Sequence, residues 1–242
     1  MKNAFKGIIF LFLILTFSIS VAAVAGPKIT APTEDSWSNQ PYLPTNWDAF
    51  TGAKGYSYII DSSPDTIPDN ESETEETFAS IPSSISGKYY LHIKAILASG
   101  SSDTTHMKVN FDKENPEPPQ NVTTVLEGSQ VKISWDASTD EGGSGIDHYV
   151  LYRGPVKNFS IADLSTKVLS NKLKETSYID SDIPNGAYFN YKLQAIDGAG
   201  NISRPSFEAG VTAPKVCQIT VAIKFEKTNK NLKITVSSEG GP

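Results

Sequence analysis

Carboxylates are the groups in this 242-residue chain best placed to do chemistry, and they gather in turns. Asp136, Asp140 and Glu141 fall in one loop, and Asp197 opens a second, Asp197-Gly198-Ala199-Gly200-Asn201. Oxygen ligands drawn from two such loops would suit Ca²⁺, a hard cation. Tight turns demand the same Asp, Asn and Gly residues with no metal at all. The complete D-x-D-x-D-G calcium loop is missing. Asp61, Asp65 and Asp69 make another acidic loop with the same two readings.

Other reactive groups come singly. His92 alternates with Leu91 and Ile93, which places it on the outward face of a strand. His106 and His148 have no second histidine at metal or triad spacing, so all three read as surface or edge histidines. Cys217 has no partner cysteine, which rules out an internal disulfide and any cysteine-based zinc cluster. Gly142-Gly143-Ser144-Gly145-Ile146 fails the G-x-S-x-G nucleophile pattern at its last position, and no phosphate-binding glycine loop is present. The expectation is no catalytic residue and no cofactor.

Charge and aromatics narrow the partners. The net charge is −6, and removal of Lys2 and Lys6 with the N-terminus makes the rest more acidic still. Such a surface offers no basic footprint for nucleic acid or an anionic membrane. Trp37, Tyr42, Tyr56, Tyr58, Tyr89 and Tyr90 raise the question of sugar stacking, and Trp37 in its polar stretch is expected to be exposed.

The first 25 residues have the order of a secretory signal. Lys2 and Lys6 precede an apolar run from Ile8 to Phe17, and Ala23-Val24-Ala25 offers a cleavage triplet. The rival is an uncleaved anchor, because apolar character extends from Gly7 to Ala25. Export to the cell surface or beyond is expected in both cases. Contact with a membrane is expected only if the segment stays.

Positioning elements follow from an internal repeat. Trp47-Asp48-Ala49-Phe50-Thr51 is echoed by Trp135-Asp136-Ala137-Ser138-Thr139. Tyr89 to Ile96 matches Phe189 to Ile196 at an offset of 100, and both run on to a glycine, Gly100 or Gly200. Between these anchors, the stretch from Gly55 to Ile60 is set against Ile146 to Leu151. Period-two alternation marks half-buried strands: Val131, Ile133 and Trp135, then Tyr149 and Leu151, then Phe189, Tyr191, Leu193 and Ala195. No sustained helical period occurs after the N-terminal segment. The class is all-β: two tandem immunoglobulin-like sandwiches and a C-terminal hairpin.

In its second half the chain resembles a fibronectin type III domain. The likeness runs from Pro116-Glu117-Pro118-Pro119 through Trp135, Tyr149-Val150-Leu151-Tyr152-Arg153 and Thr176 to Asp180, then Tyr191 to Ser203. It implies seven strands in two sheets, Trp135 in the core, and the Tyr191 hydroxyl tying down a loop. In its segment from Asp61 to Asp69 the first unit is similar to Ig-like repeats of large microbial surface proteins, but Leu91 stands where the second unit has Tyr191, so the tyrosine tie is missing. The expected divisions are 1–25 signal, 26–113 first sandwich, 114–213 fibronectin type III domain, and 214–242 hairpin. That hairpin reads either as packed on the second sandwich or as the start of a truncated third module. Proline makes Asp112 to Pro119 an extended, stiff connection.

In a sandwich of this kind the loops after Trp135 and Ile196 share a pole, so Asp136, Asp140, Glu141 and Asp197 could approach one another as a calcium site. The functional expectation is a non-catalytic exported spacer or adhesion module touching surface proteins or polysaccharide. The alternatives are an accessory part of an extracellular polysaccharide-degrading enzyme, and a pilus or surface-layer component assembling through sheet edges.

Overall fold

A computed structural model of the chain describes residues 24–83, 85–183, 186–213, 221–228 and 231–238. The signal segment up to residue 23, the turn residues Pro184 and Asn185, and Cys217 lie outside the described residues. No helix occurs among those that are described.

The first sandwich is built from β1 (Ile29–Ala31), β2 (Trp37–Ser38), β3 (Tyr42–Trp47), β4 (Ala53–Asp61), β5 (Phe78–Pro82), β6 (Gly87–Leu97) and β7 (Thr105–Phe111). Its sheets have the orders β1-β3-β5 and β2-β7-β6-β4. The second contains β8 (Gln120–Glu127), β9 (Gln130–Asp136), β10 (Ile146–Gly154), β11 (Lys167–Leu173), β12 (Ser177–Asp180), β13 (Tyr188–Asp197) and β14 (Ala209–Thr212). Its sheets run β12-β9-β8 and β11-β10-β13-β14, a three-on-four arrangement of seven strands. β15 (Val221–Thr228) and β16 (Asn231–Ser238) pair antiparallel, from Val221 opposite Ser238 to Thr228 opposite Asn231.

The alternating apolar residues become the core. Val131, Ile133, Trp135, Tyr149, Leu151, Phe189, Tyr191, Leu193 and Ala195 form one cluster between the second pair of sheets. Full burial of each aliphatic side chain there contributes about 1.5–3 kcal/mol. Trp47, Tyr56, Ile93 and Ala95 form the matching cluster of the first sandwich.

That match corrects the repeat's register. Tyr56 meets Trp47 edge-on at 5.2 Å between ring centroids, and its hydroxyl accepts the Phe50 amide at 2.9 Å. Tyr149 does the same to Trp135 at 5.5 Å, accepting the Ser138 amide at 2.9 Å. Tyr56 lies opposite Ala95 and Tyr149 opposite Ala195. The structural equivalent of Tyr149 is therefore Tyr56, two residues earlier than the sequence alignment puts it. A slip of two keeps every side chain on its own face, so alternation cannot detect it. The difference is absorbed in the loop after the tryptophan, which is longer in the second unit.

The edges of the sandwiches differ too. β11 borders β10 in the second unit, but nothing equivalent follows β4. Residues 62–77 instead form a strap that bridges the free edge of β4 at Thr74 and reaches onto the outer face, where Ser57 Oγ donates to Asp69 Oδ1 (3.4 Å) and Lys94 Nζ to Asn70 Oδ1 (2.8 Å). It is held by Tyr56 N donating to Thr74 O (2.8 Å), Glu73 N to Tyr56 O (3.0 Å) and Tyr58 N to Glu73 Oε2 (3.0 Å). At the opposite edge β2 pairs in parallel with β7.

The strap overturns the surface reading of His92. Its side chain does point away from the core, yet it is fully buried, with Ser57 and Lys94 beside it on that face also buried. Trp37 is corrected likewise: it is half-buried in β2 beside Asn110, not exposed in a polar loop.

The Tyr191 tie exists in altered form. Its hydroxyl donates to Asp180 Oδ2 (3.0 Å) at the end of β12, a carboxylate rather than a loop backbone group. Arg153 Nη1 donates to the same oxygen at 2.7 Å and to Asp182 O at 2.5 Å, and its guanidinium lies 4.7 Å over the Phe189 ring.

Candidate functional site

Antiparallel strands explain which loops meet. β8 starts, β9 ends, β10 starts and β13 ends at one pole of the second sandwich, and the connection from the first sandwich enters there. That connection begins at Asp112, directly after β7. Asp112 N donates to Ser38 O (3.1 Å) and Lys113 N to Ser86 Oγ (2.8 Å), which fixes the start of the linker to the first sandwich. On the other side Ser144 N donates to Asp112 Oδ2 (2.7 Å), Asn201 Nδ2 to Asp112 O (3.0 Å), and Glu117 N to Thr139 O (2.9 Å). Pro116 and Pro119 are buried in the joint. The stiffness expected from proline is thus reinforced by hydrogen bonds, three of which meet at Asp112.

Three carboxylates converge at this joint. Asp112, Asp140 and Asp197 each place an oxygen within 4.8 Å of the others. Asp112 and Asp197 are almost inaccessible, at 0% and 2% exposure, and Asp140 is half-buried. Asp197 Oδ1 accepts the amides of Ala199 (2.9 Å) and Asn201 (2.8 Å) while its Oδ2 accepts Asn201 Nδ2 (2.8 Å). Asp140 Oδ2 accepts the Gly145 amide at 2.7 Å. The two loops are laced together by Gly198 N donating to Gly145 O (2.8 Å) and Ala199 N to Ser144 Oγ (2.9 Å).

Electrostatics follow from this crowding. Burial pushes the Asp140 carboxyl above the usual carboxylate range; the Gly145 amide opposes the shift, and the charges of Asp112 and Asp197 add to it. Three like charges in a partly dry site are costly unless a cation or a proton balances them. Clustered carboxylate oxygens are the donor set of a hard, oxygen-seeking cation.

The residues named from sequence therefore separate. Asp140 and Asp197 come together as expected. Asp136 is elsewhere, accepting Asn121 Nδ2 at 2.7 Å, where Asn121 adopts a φ of 50° at an irregularity in β8. Glu141 is exposed and lines a neighbouring groove with Glu114, Asn115, Glu117, Thr139 and Asp140. Asp61, Asp65 and Asp69 do not assemble with it: Asp61 faces His92, and Asp69 caps the Glu71 amide at 2.9 Å. Asp112 is the member that sequence reasoning missed. The signal was available, because the linker must enter at the pole where β8 starts.

Gly143 is required here by space. An added Cβ would come within 2.5 Å of the Asp140 carboxylate oxygens and 2.6 Å of Asp112 Oδ2. Gly143→Ala is expected to pry the joint open while leaving both sandwiches folded. Small-angle scattering should then report a larger, broader distribution of sizes, with two unfolding transitions little changed.

Comparisons with known proteins agree with the fold. No family model matches the chain. Exoglucanase B of Cellulomonas fimi is 35% identical over 120 residues, 49% of this chain and 9% of that enzyme. An alpha-amylase of Niallia circulans is 29% identical over 139 residues, 57% of this chain and 10% of the enzyme. The chain thus spans about a tenth of the length of these curated relatives. Among solved structures, domains A168–A170 of titin superpose with a TM-score of 0.54 at 16% identity, covering 79% of this chain and 68% of that one. The FN1–FN3 domains of chicken CNTN1 superpose with a TM-score of 0.50 at 17% identity, covering 79% and 67%. With seven strands in a three-on-four pair of sheets from Gln120 to Thr212, the chain has a fibronectin type III-like fold, preceded by a divergent Ig-like copy of the same sandwich.

Proposed function

We propose that the chain is a non-catalytic, exported spacer whose two sandwiches are held at a fixed angle by the Asp112 joint, and that Asp112, Asp140 and Asp197 hold Ca²⁺ there. The observation that carries the spacer reading is the pair of anchors on Asp112, one to each sandwich. The partial matches to an exoglucanase and an alpha-amylase support a place beside, or within, exported polysaccharide-degrading machinery. The signal-like N-terminus supports export.

Direct sugar binding has less support. Of the aromatics singled out, Tyr42 is exposed, whereas Tyr56 is buried and Trp37, Tyr58, Tyr89 and Tyr90 are half-buried. A stacking platform needs accessible ring faces. Mature protein is expected to pass through columns of insoluble cellulose and starch without retention.

Distance measurement tests the spacer directly. Spin labels at Lys88→Cys and Lys172→Cys, both exposed positions on different sandwiches, in a Cys217→Ser background should give one narrow distance distribution in Ca²⁺. A broad distribution like that of a flexible linker would overturn the reading.

A further inference from the structure

His92 and His106 occupy directly opposed positions on β6 and β7. Their Nδ1 atoms face each other 2.6 Å apart, with ring centroids 4.9 Å apart and planes inclined at 72°. Two bare lone pairs cannot meet at that distance, so a proton or a cation must lie between them. The other nitrogen of His92, Nε2, is buried and has no well-aligned hydrogen-bond partner. It faces Asp61 Oδ1 at 3.4 Å. Tyr90 stacks on the His92 ring, 6.3 Å between centroids.

This disposition separates the roles of the two nitrogens. Asp61 favours a proton on His92 Nε2, which leaves His92 Nδ1 as the lone pair turned towards His106. Outer carboxylates of this kind orient metal-binding histidines and raise their basicity. His92 is fully buried, while His106 is exposed, so the space at its side opens to solvent.

We infer that His92 Nδ1 and His106 Nδ1 form a two-imidazole site for a borderline divalent transition ion such as Zn²⁺, Cu²⁺ or Ni²⁺, with Asp61 as the orienting partner of His92. Imidazole nitrogen suits these ions and not the hard cations expected at the joint. Metal–nitrogen bonds of about 2.0–2.1 Å would separate the two nitrogens to roughly 3 Å. Rotation of the exposed His106 ring supplies that small opening. Water completes the coordination on the open side. Burial lowers the affinity of His92 for a proton; Asp61 partly restores it, and His106 opposes it.

Calorimetric titration of tag-free protein with Zn²⁺, in excess Ca²⁺ to mask the carboxylate joint, tests the site. One equivalent should bind at pH 7.5. His106→Ala, a change at an exposed position, is expected to abolish binding without altering the unfolding temperature of the zinc-free protein. Asp61→Asn should weaken it by roughly tenfold. His148→Gln should leave it unchanged, because His148 is engaged separately with Asp147 at 2.7 Å. Histidine nitrogen chemical shifts should report Nδ1 ligation on two rings. Equal zinc affinity in the parent and His106→Ala, or no binding by the parent, would overturn the assignment.

Discussion

Replacing Asp180 with alanine is expected to lower the stability of the second sandwich by about 3–5 kcal/mol, the cost of breaking a buried ion pair from one side. Asp180 and Arg153 are 2% and 8% exposed, and without Asp180 the guanidinium over Phe189 keeps as its ionic partner only the exposed carboxylate of Asp182, 3.9 Å from its Nη2. Loss of the carboxylate also strands the Tyr191 hydroxyl, which is fully buried. Burial, with the neighbouring Asp180 charge adding to it, raises the Tyr191 hydroxyl far above its ordinary value. The phenol therefore remains a donor at any pH in which the protein is handled. Tyr191→Phe keeps the ion pair and removes one bond to a charged group, so its cost should be smaller, about 1.5–3 kcal/mol. Scanning calorimetry would resolve the two sandwiches, and the first should melt where it does in the parent. If Asp180→Ala melts no earlier than Tyr191→Phe, the ion pair is not what closes this corner.

The first sandwich shows that this closure is one solution among several. Leu91 stands at the position of Tyr191 and is fully buried against Leu43, Ile81, Met107, Val109 and Phe111. An apolar residue there needs no partner, and none is supplied. Replacing buried ionic groups by apolar ones of similar volume is often neutral. The absence of the tyrosine in the first unit was plain from its sequence. The identity of the partner in the second was not, because Asp180 ends a strand eleven residues away and its carboxylate shows no pattern.

Alternation carried most of the fold. Every stripe read from period two in the second unit lies in the core, because a half-buried strand repeats its chemistry every second residue. Alternation reports a face, however, and not what covers it. His92 is on the face opposite Leu91 and Ile93, as its spacing requires, but the strap of residues 62–77 removes that face from water. A polar segment rich in Asp, Glu and Ser gives no periodic sign that it will lie down on a sheet. Pairing across strands is equally hidden: His92 and His106 are separated by one turn of chain and appear solitary until β6 and β7 fix their register. Asp112 escaped for a different reason. It was read as the start of a linker, a role defined by proline content, whereas its position is set by topology.

Calcium supplies the second large effect. Asp140 has a folded pKa above its ordinary 3.8. Between those two values Asp140 holds more protons in the folded chain than in the unfolded one, so its own contribution to metal-free stability is fullest below about pH 3.8 and is lost as pH rises through the window. A divalent cation held by Asp112, Asp140 and Asp197 would relieve their crowding. Ca²⁺ at about one hundred times its dissociation constant would add about 2.7 kcal/mol. For a domain of this size that is roughly 10–20 °C in the melting temperature of the sandwich that carries the loops. Asp140→Asn removes one of three charges and keeps an oxygen for the Gly145 amide. In chelator it should melt at or above the parent temperature, and its response to Ca²⁺ should nearly vanish. Acidification should weaken the parent's response, because a proton competes with the cation for the Asp140 carboxylate, whose pKa is raised. Asp136→Asn serves as the contrast, since Asp136 only braces Asn121 and stands outside the trio; its calcium response should equal the parent's. A parent whose melting ignores Ca²⁺ at neutral pH would remove the cation from the joint and leave Asp112 holding the two sandwiches by hydrogen bonds alone.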